Sequence, residues 1–186
     1  AYTTINKSTD YFNTKLYTGN GGTQSITGVG FQPDFSWLKN RSATQHHQLF
    51  DAIRGATKRI YSSSTAAEDT GSDTLTAFDS DGFSVGANAG VNGSSNATVA
   101  WNWKAGGAGS ANTDGATAST VSVNNTAGFS IVKWTGTSGN TTVGHGLNTA
   151  PTFTIVKNYG GSGTNWVVYH KNISPDYAIK LNTTDA

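Results

Sequence analysis

The chain has no cysteine, so no disulfide staples it, no thiolate holds a metal and no thiol serves as a nucleophile. It also lacks methionine, and among its 186 residues there are three prolines and a single glutamate, Glu68. Residues that favour long helices are scarce, which removes the expectation of a helical bundle. No run of apolar residues is long enough to read as a membrane-spanning helix, and no signal peptide is visible. Charged residues make up 12% of the chain and the formal net charge is +1. That balance offers neither the basic footprint of a nucleic-acid binder nor the charge of an acidic, solvating tail.

What remains is polar and β-prone. The chain carries 23 Gly, with Thr, Val, Tyr, Phe and Trp plentiful and Asn, Ser and Thr left to provide solubility. Its length allows one large or two small domains with a real core. Short alternating segments recur: Asp34 to Asn40, Ala97 to Lys104, Phe129 to Trp134 and Phe153 to Asn158. Leu75 to Phe78 and Phe83 to Val85 are joined by Asp79-Ser80-Asp81-Gly82, a hairpin signal. Leu49 to Tyr61 reads as the one short helix, interrupted by Gly55. The pattern is all-β, and the composition suits an extracellular bacterial or viral protein. A chain that starts at Ala1 without any methionine is expected to be a trimmed product or part of a longer polypeptide.

Internal repetition organises the chain. The stretch FNTKLYTGNGGTQSITGVGFQPDFSWLKNRS from Phe12 is matched by FSIVKWTGTSGNTTVGHGLNTAPTFTIVKNYG from Phe129. Phe12 aligns with Phe129, Tyr17-Thr18-Gly19 with Trp134-Thr135-Gly136, and, after a one-residue slip, Phe35 with Phe153 and Lys39-Asn40 with Lys157-Asn158. A spacing near 117 residues exceeds any solenoid period and indicates a duplicated domain. The expected fold is two related antiparallel β-sandwiches, jelly-roll or lectin-like, in tandem. The first copy spans 1–105 and a Gly/Ala/Ser linker spans 106–120. The second copy, 121–186, is truncated, because no counterpart of FDSDGFSVG or VAWNW follows it. A sheet left short in this way exposes an edge that invites pairing with another chain.

The segments YTTINKSTDYFNTKLYTGNG, QPDFSWLKNRS, HHQLFDAIRGATKRIYS, LTAFDSDGFSVG and VAWNWKAGG, in that order, resemble a module of structural proteins, of tail or fibre type, in the virions of tailed phages from aquatic bacteria. The resemblance implies a place on the virion surface, and partners that are copies of the chain or other virion proteins. It implies no activity and no cofactor.

The residues themselves point away from catalysis. His46, His47 and Asp51 lack a further ligand at a recognisable spacing, so no metal is expected there. Asp79-x-Asp81-Gly82 resembles the start of a calcium loop but lacks its later acidic position. One Glu and ten Asp, most in turn contexts, present no carboxylate pair of the kind glycoside hydrolysis uses. No nucleophile elbow such as GxSxG occurs. The expectation is a non-enzymatic structural protein.

The second reading is an adhesin that recognises host surface glycan. Its candidate carbohydrate-binding residues are Trp101, Trp103 and Asn102 in TVAWNWKAGG, with Tyr159 and Trp166 near the second end. Alternation along this strand places Val99, Trp101 and Trp103 on one face and Ala100, Asn102 and Lys104 on the other. The indole face reads as the inside of a sandwich, and the face of Asn102 and Lys104 as its outside.

Overall fold

A computed structural model describes residues 5–174 and 176–184. In chain order its strands are β1 (Phe12–Thr18), β2 (Gln24–Thr27), β3 (Phe35–Asn40), β4 (Gln48–Asp51), β5 (Lys58–Tyr61), β6 (Asp69–Thr70), β7 (Leu75–Asp79) and β8 (Gly82–Val85). A single helical turn, α1 (Ala89–Asn92), leads into β9 (Ala97–Trp103). Then come β10 (Ser110–Asn112), β11 (Ser119–Asn124), β12 (Phe129–Trp134), β13 (Phe153–Val156), β14 (Val167–His170) and β15 (Ile179–Lys180). The protein is all-β, with antiparallel sheets that do not close. Among the described residues no helix is long and apolar enough to cross a membrane.

Six strands form the largest sheet, in the order β1-β9-β3-β4-β5-β6, and β2-β8-β7 form a second. The side chains between them make the main core. From the large sheet come Leu38, Phe50 and Ala100; from the smaller one come Ile26, Leu75, Phe83 and Val85; Val91 of α1 closes one end. Burying each large apolar side chain stabilises the fold by about 1.5–3 kcal/mol, so this cluster dominates the energetics. Tyr17 lies at its margin, donating its hydroxyl to the Val91 carbonyl, and burial pushes its phenol well above the usual range.

Asn102 corrects the inside-outside expectation for β9. It is fully buried in this layer, beside Thr98 and Ala100. Its amide nitrogen donates to the carbonyls of Asn13 and Ala100, while its side-chain oxygen accepts from the Ser36 hydroxyl. Satisfied in this way, a polar side chain is tolerated where the layers approach closely.

The expected helix at Leu49 to Tyr61 is instead a hairpin of β4 and β5, with Leu49 opposite Ile60. Gly55 adopts φ 96°, which a right-handed helix does not contain and a turn does. The hairpin expected at Asp79 to Gly82 is present, with Asp79 opposite Gly82. A side chain at position 82 would overlap the Ile26 carbonyl oxygen, so only glycine lets β2 approach β8 there.

Within that turn, the Asp81 carboxylate accepts from the backbone N–H of Gly28 at 3.0 Å and of Gly30 at 2.6 Å, tying the β2–β3 connection to the hairpin. These two donors, Gly30 first, hold its pKa below the ordinary carboxylate value. A lowered folded pKa adds stability above the unfolded value, and that contribution vanishes as pH falls through the folded one. Asp81→Asn is therefore expected to flatten the decline in stability between about pH 5 and pH 3, measured by denaturant melts. Equal slopes in both proteins would show that the two amide bonds contribute nothing.

The tract 106–120 is not a free linker. It contains β10 and the first residues of β11, and Ser122 fastens it by accepting from Gly106 N and donating to the Gly107 carbonyl. It thus opens one three-stranded sheet, β10-β11-β12, and a second, β13-β14-β15, follows.

The repeat seen in the sequence reappears in strand register. Phe35 faces Asp51 across β3 and β4, and Phe153 faces His170 across β13 and β14. Gln48 faces Tyr61 and Leu49 faces Ile60 in the first half; Val167 faces Lys180 and Val168 faces Ile179 in the second. Both meanders keep one register, with β13 displaced by 118 residues and β14 and β15 by 119.

Candidate functional site

The far face of the six-stranded sheet is aromatic. Register places Phe12, Trp103 and Phe35 in one row across β1, β9 and β3, and Thr14, Trp101 and Trp37 in the next. Trp103 packs on Phe12 at 4.8 Å and on Phe35 at 5.3 Å between ring centroids. Phe129 from β12 stacks on it at 6.1 Å with the planes 20° apart. Trp101 meets Trp37 edge to face at 6.3 Å, and the Trp37 indole N–H donates to His47 Nδ1. Both β9 indoles are half-buried.

Trp166 is buried against Leu49 and Ile60, with Trp37, Phe35 and Tyr159 around them. Its indole N–H donates to the Tyr61 carbonyl at 2.8 Å. Four of the five residues proposed from sequence thus lie on one side of the large sheet, while Asn102 faces the opposite layer. Burial removes Asn102 and Trp166 from contact with any glycan. The aromatic face is chiefly the seam on which the C-terminal sheets dock.

His46, His47 and Asp51 diverge. His46 Nδ1 shares a hydrogen bond with Ser63 Oγ, and His47 accepts from Trp37. Burial, then the charges of Lys39 and His46, hold His47 below the usual histidine range. Asp51 pairs with Arg54, which also reaches Glu68. Among the described residues no three groups of metal-ligating type converge.

Two features escaped the sequence reading. One is a shallow cleft of about 240 Å³ lined by Ser119, Thr120, Lys133, Trp134, Thr135 and Tyr159. The other is exposed apolar surface on the last sheet and the segment leading into β15: Phe153 is 56% exposed and Tyr177, just before β15, 73%, and Ile155, Val156, Val167, Tyr169 and Ile179 are also open to solvent. In β14 only Val168 is buried. The repeat alignment was the available signal for both, since it names the counterpart of each residue in the first half.

A family model described as "Domain of unknown function (DUF7483)" matches residues 7–186. The chain belongs to the DUF7483 family. No curated protein and no solved structure matches it. Among the described residues β12 and β13 each pair on one side only, and Val156 and Tyr169 are exposed where Leu38 and Phe50, which align with them, are buried.

Proposed function

We propose that this chain is a non-enzymatic structural module of a tailed-phage virion, and that it assembles with another polypeptide through its C-terminal half. On this reading it comprises two related β units. The observation that carries the assembly reading is the uncovered apolar surface of β13 to β15. The register-matched strands β3 and β4 bury Leu38 and Phe50 completely, whereas their counterparts Val156 and Tyr169 are exposed. Large exposed apolar patches mark interaction surfaces. The virion setting is supported by the resemblance of the five quoted segments to phage structural modules.

Without its partner, the purified chain is expected to self-associate with rising concentration and to bind an apolar dye. Combined Phe153→Ser and Tyr177→Ser substitutions are expected to weaken that association about tenfold, a change of roughly 1.4 kcal/mol, by sedimentation or native mass measurement. A monomer at every concentration, with no dye bound, would remove the assembly reading. Labelling of intact virions by an antibody to the chain tests the location.

A further inference from the structure

We propose that the cleft between the start of β11, the end of β12 and the segment after β13 binds an acidic saccharide, a pyranose ring that carries a carboxylate. The inference goes beyond the assembly reading and does not rest on it, because neither Phe153 nor Tyr177 lines the cleft. Its lining holds one cation, Lys133, two aromatic residues, Trp134 and Tyr159, the hydroxyls of Ser119, Thr120 and Thr135, and no carboxylate. Ser119 Oγ is spent on the Gly144 carbonyl. Among the described residues the other polar groups, the Lys133 ammonium, the Trp134 indole N–H, the Tyr159 phenol and the two threonine hydroxyls, have no hydrogen-bond or ion-pair partner in the protein.

The repeat shows that this is a departure from the first half. Trp134 aligns with Tyr17, whose hydroxyl is taken by the Val91 carbonyl and whose ring lies edge-on to Phe83 at 6.1 Å. Among the described residues Trp134 has neither a hydrogen bond nor a ring partner. Lys133 aligns with Leu16, so the second half also places a positive charge where the first has an exposed apolar side chain. The walls are held independently of any ligand. Ser119 stands opposite Trp134 and Thr120 opposite Lys133 across β11 and β12. Tyr159 packs with Leu49, Ile60 and Trp166, and its carbonyl accepts from Glu68 N at 2.8 Å. A site ordered beforehand keeps more of its contact energy as affinity.

A sugar ring matches this lining group by group. Its C–H face suits an aromatic ring, and its hydroxyls both donate and accept, as the indole N–H, the phenol and the threonines require. A carboxylate on the ring accepts a charge-assisted hydrogen bond from Lys133. A neutral sugar leaves that ammonium unused, and a bare anion leaves both aromatic residues unused. The cleft volume of about 240 Å³ falls below the roughly 300–1,000 Å³ of sites for larger ligands, so it takes one ring, with any further sugars running out over the rim.

The probes are the methyl glycosides of glucuronic and galacturonic acids and of N-acetylneuraminic acid, with methyl glucoside and methyl galactoside as neutral controls and inorganic phosphate as the bare anion. They are titrated against the intact chain below the concentration at which it self-associates, with NMR shifts read residue by residue. The expected result is saturable binding of at least one acidic glycoside, about tenfold tighter than its neutral control, with shifts centred on Thr120, Lys133 to Thr135 and Tyr159. Lys133→Gln is expected to erase the preference for the acid while leaving weak binding of the ring, and Trp134→Ala to weaken both about tenfold. Lys133→Gln changes a single side chain without a partner, so its melting curve is expected to match that of the parent chain. No saturable shift, equal binding of neutral and acidic glycosides, phosphate binding as tight as the glycosides, or shifts away from the cleft would each overturn the proposal. The Phe153→Ser, Tyr177→Ser chain is expected to bind the glycoside unchanged, so loss of self-association and loss of the saccharide site are read separately.

Discussion

Arg54→Ala is expected to lower the stability of the fold by about 3–5 kcal/mol, because it leaves a buried carboxylate without its counter-charge. The Arg54 side chain is 5% exposed and Asp51 8%. Its guanidinium donates Nε to Asp51 Oδ2 at 2.5 Å, Nη1 to Glu68 Oε2 at 3.1 Å and to the Lys58 carbonyl at 3.2 Å, and Nη2 to the Leu49 carbonyl at 3.1 Å. One planar group thus satisfies two carboxylates and two backbone oxygens at the β4–β5 turn. Arg54→Lys keeps the charge but not the fork, so it is expected to recover only part of the loss. Denaturant melts at neutral pH decide the matter. A loss below about 1 kcal/mol in the alanine variant would place the cluster among ordinary surface ion pairs.

That network also shows where reading a sequence stops. HHQLFDAIRGATKRIYS contains Asp51 and Arg54 at helical spacing, and a short helix was the natural inference. The actual hairpin arises because Gly55 takes a positive φ and because Arg54 finds partners in Lys58 and Glu68, contacts that periodicity does not encode. Strands with clean alternation, such as β3, β9 and β12, were legible, as was the turn between β7 and β8. The repeat was legible too, and it returns in the matching registers of β3-β4-β5 and β13-β14-β15.

Which face of β9 is inward was not legible, because both faces of that strand are covered, one fully and the other in part. Asn102 is enclosed between two sheets, while on the other face Trp103 stacks on Phe129 of the C-terminal half and Trp101 packs on Trp37. Alternation identifies a face, and the identity of what covers it comes from elsewhere in the chain. The same limit hid β10 in the tract GGAGSANTDG, where pairing with β11 and the hydroxyl of Ser122 substitute for apolar anchors. Among the candidate site residues, the sequence located the aromatic side of the sheet through Trp101 and Trp103. It did not locate the cleft between Trp134 and Tyr159.

Trp166→Ala is expected to cost about 3–5 kcal/mol, and to act mainly on how the last sheet is held to the first half. Trp166 is 4% exposed, so its indole fills space against Leu49 and Ile60 that alanine leaves empty. Its N–H anchors that space to the Tyr61 carbonyl. Other ties across the same seam are local and polar: Glu68 N donates to the Tyr159 carbonyl, Gly163 N to the Thr65 carbonyl, and the Lys157 ammonium also reaches Thr65 O at 3.2 Å. With the indole gone, those bonds and the packing of Tyr159 carry the attachment. Hydrogen exchange in β14 is then expected to accelerate while β3 and β9 stay protected, so that unfolding separates into two steps. Trp166→Phe retains most of the packing and loses the hydrogen bond, a change of about 1–3 kcal/mol. A single cooperative transition in the alanine variant, weakened by less than about 1 kcal/mol, would mean that the Phe129–Trp103 stack, rather than Trp166, couples the halves.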